Sequence, residues 1–238
     1  MTQKQYSLQY GEREIRYGVV RRSRRTLEIT VAPDASVTIA APTAATHDVI
    51  EAKLRKRATW VLKQQRYFAQ FLPRTVERRF ISGETHRYLG RQYRLKVVPH
   101  AQCHVRMIHG FILVQSDRPN DPEVTRELVE DWYRHRAQIK FPERIAHCLG
   151  FFPNVEFFRP ERLTVRTMKK RWGSMSSAGH LLLNRRLIQA PVHAIDYVIT
   201  HELCHMAQQN HDAAFYELLD KVMPDWRLRK HKLEVTMS

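Results

Sequence analysis

The sequence predicts an α+β fold, in which a β-rich N-terminal region with one long helix precedes a mostly helical C-terminal core with a short β-sheet. Two patterns of apolar residues carry this prediction. Apolar and polar residues alternate through much of the first forty positions, as in half-buried strands. From residue 46 the apolar residues instead recur at helical spacing, and helical patterns dominate again beyond residue 190.

The first predicted elements are a β-hairpin and a long helix. The apolar positions of the two hairpin strands are Leu27, Ile29, Val31, Val37, Ile39 and Ala41. Turn-forming residues at 32–35 separate these strands. The helix should span about 46–72, with an apolar stripe formed by Ile50, Leu54, Ala58, Val61 and Phe68. Further short strands are predicted between about residues 80 and 115, where Gly83, Gly90 and Gly110 mark the turns.

A second helix is predicted from about Glu123, after a loop at 116–122. Its buried side should be marked by Val124, Leu128, Trp132 and Ile139. Pro142 should kink or break this helix. The loop also suggests a soft boundary between a β-rich region at 1–118 and a core at 119–238, although the sequence equally allows one compact unit.

The C-terminal part has the pattern of two strands followed by three helices. The strands are predicted at 163–167 and 180–185, with a basic loop between them. A helix should begin near Pro191, which suits a first helical position. A short helix from about Asp212 and a basic last helix complete the chain.

The composition limits the class of protein to which the chain can belong. The chain has 238 residues, 43% of them hydrophobic, so it can bury a substantial core. No apolar run reaches the roughly eighteen residues of a membrane span, and the first residues lack the apolar stretch of a signal peptide. The three cysteines, Cys103, Cys148 and Cys204, are too few and too scattered for a disulfide framework. We therefore expect a cytoplasmic protein without a membrane partner.

The second unusual property is a formal net charge of +16, from 40 Lys and Arg against 24 Asp and Glu. Such a charge favours association with polyanions, so nucleic acid or nucleotide contact is one interpretation. A solvated surface is the other, because the basic residues are spread along the chain rather than gathered in one tail.

The residues that carry chemistry are His201, Glu202 and His205, which form the pattern HExxH. Two histidines four residues apart on a helix lie about 40° apart around its axis and about 6 Å apart along it, so both can reach one metal ion. His211 follows six residues later and can supply a third nitrogen. Three protein ligands leave the fourth position of zinc open to water, from which Glu202 can take a proton.

Two neighbours of this motif have alternative interpretations. Cys204 lies inside the motif but points in another direction around the helix, so a buried packing role suits it better than zinc ligation. Asp212 could orient a ligand histidine, or it could cap the next helix, and the cap is slightly favoured. A surface helix with incidental histidines is the alternative for the motif as a whole.

Several segments together resemble the YgjP-like metallopeptidase family. In the C-terminal half they are RWGSMS at 171–176, Gly179, LLNRRL at 182–187, DYVI at 196–199, the HExxH motif and Asn210-His211; in the N-terminal half they are RSRRT at 22–26, Ala41-Pro42, Gly83-Glu84 and YLGR at 88–91. The resemblance covers nearly the whole chain. One departure is Met175, where the family commonly has cysteine.

The resemblance implies a zincin-like minimal core with a single Zn²⁺ ion. His201, His205 and His211 would be the metal ligands and Glu202 the catalytic glutamate. The relatives of this family include SprT and Wss1-type proteases, which act on proteins crosslinked to DNA, and some members carry a nucleotide pyrophosphatase annotation. In such proteases a strand edge beside the active helix pairs with the substrate backbone.

The same resemblance suggests where a substrate would bind. The strand predicted at 180–185 is the candidate edge strand, and Trp172, Ser174 and Asn184 could line the cleft. For each of these residues a structural role is the alternative: Trp172 could pack the core, for example, next to a turn at Gly173.

Three functions from different classes fit these observations. The first is a zinc-dependent peptidase acting on a protein or peptide, with nucleic-acid-associated proteins as one substrate class. The second is a nucleoside triphosphate pyrophosphohydrolase, for example acting on UTP, although the chain lacks a glycine-rich phosphate loop and a carboxylate cluster for Mg²⁺. The third is a nucleic-acid-binding module with a structural zinc, which would need a fourth protein ligand.

Overall fold

The computed structural model describes residues 4–32, 34–69, 78–168 and 171–237. The chain folds into two compact units, Met1–Val76 and Glu77–Met237. The predicted α+β class is confirmed, since each unit combines β-sheet with helix. Within the described ranges, no helix is long and apolar enough to cross a membrane.

The first unit contains a four-stranded sheet and one long helix. Its elements are β1 (Lys4–Tyr10), β2 (Arg13–Arg22), β3 (Glu28–Val31), β4 (Val37–Pro42) and α1 (His47–Ala69). The strand order is β1-β2-β4-β3, with β2 and β4 parallel and the two outer pairs antiparallel. The predicted hairpin is confirmed as β3–β4, in which Ile29 lies opposite Ile39.

Helix α1 packs on this sheet through the predicted apolar stripe. Ile50, Leu54, Ala58 and Val61 are buried, and Phe68 is half-buried. The same hydrophobic cluster contains the inward-facing sheet residues Leu8, Ile15, Tyr17, Val37, Ile39 and Ala41. The unit therefore has its own core, formed by one face of the sheet and one stripe of the helix.

The second unit opens with another four-stranded sheet. Its strands are β5 (Thr85–Tyr88), β6 (Arg91–Pro99), β7 (His104–Ile108) and β8 (Phe111–Ser116). The order β5-β6-β8-β7 and the parallel central pair repeat the arrangement of the first sheet, and a long helix again follows. This repetition is structural only, because the sequence shows no internal repeat. The predicted soft boundary at 116–122 falls inside this unit, where the sheet shares a core with the later helices.

Helix α2 (Pro122–Leu149) covers one face of this sheet. Asp121 caps its start by accepting hydrogen bonds from the backbone N–H groups of Glu123 and Val124. The predicted buried side was wrong: Val124, Leu128 and Trp132 are only half-buried and Ile139 is 41% exposed. The buried side instead runs through Thr125, Val129, Tyr133, Ala137, Phe141 and Ile145.

Buried polar residues explain this error. Tyr133 is fully buried because its hydroxyl donates to the backbone oxygen of Arg87 at 2.7 Å, and Thr125 donates to the backbone oxygen of Asp121 at 3.1 Å. Pro142, which was predicted to kink or break the helix, does not break it, since α2 continues to Leu149. Phe141 and Ile145 are buried on either side of Pro142, and this packing offsets the hydrogen bond that proline cannot donate.

A three-stranded sheet follows, formed by β9 (Arg162–Arg166), β10 (Gly173–Met175) and β11 (His180–Asn184), after the short helix α3 (Val155–Phe158). The strand order is β10-β11-β9, so β11 lies in the middle. The expectation that the strand at 180–185 forms an edge is therefore wrong. The edge beside β11 is occupied by β10, a three-residue strand inside the segment predicted as a basic loop.

The remaining elements surround one central helix. A short 3-10 helix (Arg185–Gln189) leads into α4 (Val192–Cys204), and α5 (Ala213–Val222) and α6 (Trp226–Met237) follow. Every residue of α4 from Ala194 to Thr200 is buried. A helix that is apolar on all sides requires neighbours on all sides, and α2, α5, α6 and β10 provide them.

Candidate metal centre

The HExxH motif occupies the last turn of α4. Pro191 precedes the helix, which ends at Cys204, and His205 keeps a right-handed helical conformation just beyond it, with φ −66° and ψ −13°. His201 and His205 therefore project one turn apart, as the spacing predicts. The chain then turns through 206–210 and returns His211 to the same place immediately before α5.

The three histidines converge on one point. One ligand atom from each of His201, His205 and His211 lies within 4.8 Å of the others. The Nε2 atoms of His201 and His211 are 3.0 Å apart. The Phe215 ring packs against all three imidazoles, with ring centroids 4.7 to 5.0 Å apart. The buried Phe215 side chain thus packs against the three imidazole rings and keeps them close together.

Burial favours the neutral form of two of these rings, and a hydrogen bond orients the third. Nδ1 of His205 lies 2.9 Å from the backbone oxygen of Gln208, so Nδ1 carries the proton and Nε2 keeps a free lone pair. Burial lowers the pKa of His201 to about 3, with the neighbouring histidines and Lys230 acting in the same direction. Burial also lowers the pKa of His211. Neutral imidazoles are the form that binds a metal.

This arrangement fits a single zinc ion. Two nitrogens that each lie about 2.0–2.1 Å from one tetrahedral zinc are about 3.3 Å apart, close to the 3.0 Å seen between His201 and His211. Among the described residues, the cluster contains these three histidines and no fourth ligand. Cys204 is fully buried in the hydrophobic core, as its packing interpretation predicts. Asp212 accepts a hydrogen bond from the Phe215 N–H at 3.0 Å and caps α5.

Glu202 belongs to α4, and its side chain lies against β10. Its side chain is so close to Gly173 that a Cβ atom added there would lie 2.6 Å from Cγ and 2.7 Å from Oε1 of Glu202. Burial raises the pKa of Glu202 to about 7, while a backbone hydrogen bond from Met175 and the charge of Arg171 oppose this rise. The carboxyl group is thus held by the backbone of an edge strand.

The structure gives the predicted cleft residues different positions. Asn184 is 3% exposed, and its amide donates to the backbone oxygens of Met168 and Arg171 at 2.8 and 3.0 Å. Its Oδ1 accepts from the N–H of Arg186 and caps the following 3-10 helix, so each of these hydrogen bonds joins its side chain to the backbone. Trp172 is half-buried against the core, and Ser174 is half-buried in β10 opposite Leu182.

Three features of the site are not apparent from the sequence motif. The first is the backbone of Gly173 and Met175, which contacts Glu202. The second is Tyr216, whose ring lies 6.3 Å from the His211 ring and is 38% exposed. Its position five residues after His211, on the first turn of α5, was the only signal that could have found it.

The third feature is a buried ion pair that anchors α4. Asp196 is nearly buried and accepts two hydrogen bonds of 2.8 Å from Arg144 of α2. Arg229 of α6 approaches the same carboxylate at 3.9 Å. Because Asp196 lies about one and a half turns before His201, these contacts tie the active helix to its two neighbours.

Comparison with known proteins adds one finding. The family model for the YgjP-like metallopeptidase domain matches residues 25–236, which is nearly the whole chain and includes every residue of the site. No curated protein and no solved structure matches the sequence. The family implies a metal, typically zinc, and a hydrolytic reaction on a protein or peptide.

Proposed function

The chain belongs to the YgjP-like metallopeptidase family, and from this premise we propose that it is a zinc-dependent peptidase with Glu202 as its general base. One observation carries the proposal: one ligand atom from each of the three imidazoles lies within 4.8 Å of the others, and Glu202, next to the first of them in the motif, is buried. His201, His205 and His211 would hold the ion. An ion with three protein ligands keeps a position open, which is typical of catalytic rather than structural zinc.

When bound, zinc would supply Lewis acidity, lowering the pKa of a coordinated water towards about 7 and polarising the scissile carbonyl. Glu202 would accept the proton of the attacking water and deliver it to the leaving amine. A carboxyl group with a pKa near 7 suits both steps, because it accepts and releases protons close to neutral pH. The Met175 N–H and Gly173 hold this carboxyl group in place.

The outer edge of β10 supports an extended substrate at Gly173, while the Met175 N–H on the same edge is bonded to Glu202. Trp172 accepts a hydrogen bond from the N–H of Asn184, and the N–H of Ser176 donates to His180, so alternate residues bond towards β11. In an antiparallel ladder the intervening residues, Gly173 and Met175, direct their backbone groups to the opposite edge. A peptide that adds to this edge would pass directly beside Glu202. This assignment replaces the strand at 180–185 as the substrate-pairing strand.

Tyr216 is suited to stabilise the transition state. Its ring stacks on Trp226 at 5.7 Å, which fixes it near His211 while its surface remains partly exposed. Its hydroxyl is a hydrogen-bond donor for the oxyanion that forms when water attacks the carbonyl. Tyr216→Phe should then lower kcat by about 10²-fold or more, the usual effect of removing one such donor.

The positive charge supports the proposal that the substrates are proteins associated with nucleic acid. A net charge of +16 favours polyanions, and a peptidase on such a partner would meet the proteins bound to it. This part of the proposal concerns only where the enzyme acts, because the chemistry at Glu202 is the same for any peptide bond.

The test compares wild-type protein with Glu202→Gln on an unfolded protein such as casein and on UTP, each with and without a chelator. We expect wild type to cleave casein, the chelator to stop cleavage, and the variant to bind zinc with little activity. UTP hydrolysis without casein cleavage would establish the nucleotide pyrophosphohydrolase instead. Undiminished cleavage by the variant would refute the role of Glu202.

A further inference from the structure

We propose that the outer face of the β5–β8 sheet binds single-stranded nucleic acid. The pairing register defines this face. Residues such as Tyr88, Leu95, Ile112 and Val114 point inward and are buried in the core. Side chains alternate along a strand, so the intervening residues point away from the core. They are Thr85, Arg87, Gln92, Arg94, Lys96, Val98, His104, Arg106, Ile108, Phe111, Leu113 and Gln115. Of these, Arg87 donates to the backbone oxygen of Thr236 in α6 at 2.8 Å.

The charged residues of this outer face are all basic. None of its twelve positions on the four strands, all within the described residues, is acidic. Arg94, Lys96 and Arg106 are exposed and none has a carboxylate partner among the described ion pairs. Elsewhere many of the arginines pair with Asp or Glu. An uncompensated row of cations on a regular scaffold favours a polyanion.

An aromatic ring lies among these cations. Phe111 is 37% exposed on the central strand β8, and Nζ of Lys96 lies 6.0 Å from its ring centroid. Arg94 stands directly beside Phe111 on β6, and Ile108 stands beside it on β7. Leu113 lies between Lys96 and Arg106 in the same way. Neighbouring strands are about 4.8 Å apart, so these side chains form one continuous patch.

This combination fits a single strand better than a duplex or a membrane. A nucleobase can stack on Phe111 while Arg94 and Lys96 contact the flanking phosphates. A duplex offers no unstacked base, and four strands span about 14 Å between outer backbones, more than the roughly 12 Å major groove admits. A membrane anchor buries a wide apolar face, whereas Phe111 lies directly beside Arg94 and 6.0 Å from Nζ of Lys96.

The inference deepens the polyanion contact proposed above by assigning it to a surface and a ligand. It does not depend on hydrolysis, because the residues of the patch are distinct from the metal centre. Binding and peptide cleavage can therefore be tested separately on the same full-length protein.

The experiment measures fluorescence anisotropy of a labelled oligothymidylate of about 12 nucleotides, a length within the range that such platforms cover. The variant Arg94→Glu/Lys96→Glu/Arg106→Glu removes three contacts. The control variant, Lys53→Glu/Lys56→Glu/Arg57→Glu, changes the net charge equally on an exposed face of α1. The slope of the logarithm of the association constant against the logarithm of the salt concentration measures the number of phosphate contacts, at about 0.7 per contact. We expect the magnitude of this slope to fall by about 2 in the patch variant and to change little in the control.

A second pair of variants tests stacking. Phe111→Ala should weaken binding about tenfold or more, whereas Phe111→Trp should retain it, since any aromatic ring can stack on a base. Equal weakening by the two triple variants would overturn the proposal, because only the net charge would then matter. Binding to phosphatidylserine vesicles through Phe111, without binding to the oligonucleotide, would overturn it in favour of a membrane.

The two proposals fail in different ways. Glu202→Gln should bind the oligonucleotide as wild type does, and the patch variant should still cleave casein. An absence of oligonucleotide binding with intact cleavage in wild type would reject the nucleic-acid site alone. An absence of cleavage with intact binding would reject the peptidase alone.

Discussion

The most direct test of the site is the addition of one methyl group at Gly173. This glycine is buried in β10 and faces Glu202. Its φ lies outside the left-handed region, so alanine can adopt the same backbone conformation without strain. The three nearest atoms to the added Cβ of Gly173→Ala all belong to Glu202, so the variant perturbs that contact first.

The size of the perturbation follows from the distances. The new Cβ would lie 2.6 Å from Cγ, 2.7 Å from Oε1 and 2.9 Å from Cδ of Glu202, whereas ordinary contacts begin near 3.4 Å. The side chain must therefore retreat by about 0.8 Å. A misplacement of about 1 Å costs on the order of 10²-fold in rate. The cost to folding should be only about 1–2 kcal/mol, because a side chain rather than backbone must move.

The assay is cleavage of unfolded casein by zinc-loaded protein, with zinc content and thermal unfolding measured on the same samples. Gly173→Ala should bind one zinc per chain and unfold within a few degrees of wild type, yet its kcat should fall about 10²-fold. Gly150→Ala is the matched control. Gly150 has a right-handed helical conformation at the end of α2, and its added Cβ would approach only the backbone oxygen of His147, at 3.2 Å.

Full activity in Gly173→Ala would refute this reasoning, because Glu202 would then tolerate a displacement that general-base catalysis does not. Loss of zinc together with activity would also contradict it, since the methyl group contacts the carboxyl group and not the histidines. A loss of activity in Gly150→Ala comparable to that in Gly173→Ala would show that the effect is not specific to the site.

Three further predictions concern stability. Zinc at about 100 times its Kd should raise the free energy of unfolding by about 2.7 kcal/mol, which corresponds to about 5–10 °C in Tm. His205→Ala should abolish most of this gain. A wild-type Tm that does not change when zinc is added would contradict the metal site. Asp196→Ala should lower the free energy of unfolding, measured in urea, by about 2–4 kcal/mol, because it leaves Arg144 without its partner. A decrease below about 1 kcal/mol would show that the ion pair does not anchor α4. Burial lowers the pKa of His86 to about 4, so the folded state keeps this ring neutral while the unfolded chain binds a proton below about pH 6.5. The contribution of His86 to stability should therefore be complete above about pH 6.5 and be lost towards pH 4 by up to about 1.4 kcal/mol per pH unit, so stability should fall less steeply in His86→Gln; an identical slope in both proteins would exclude His86 as a cause.

Local patterns of apolar residues determined much of the fold. The hairpin at β3–β4 and the stripe of α1 were confirmed because each lies on one face of a simple element, where apolar spacing reports burial directly. The same reasoning failed on α2. There the buried line includes Thr125 and Tyr133, whose hydroxyl groups are satisfied by partners that the pattern of apolar residues does not show.

The sequence by itself also determined the histidine pair, since the placement of His201 and His205 one turn apart follows from helix geometry, whereas the turn at 206–210 brings His211 to them. It could not determine what surrounds that cluster. Strand order is set by contacts between distant segments, so only the tertiary structure shows that β11 is central and that β10 is an edge strand. For the same reason, only the packing of β10 against α4 places Gly173 against Glu202 and buries that carboxyl group, which raises its pKa.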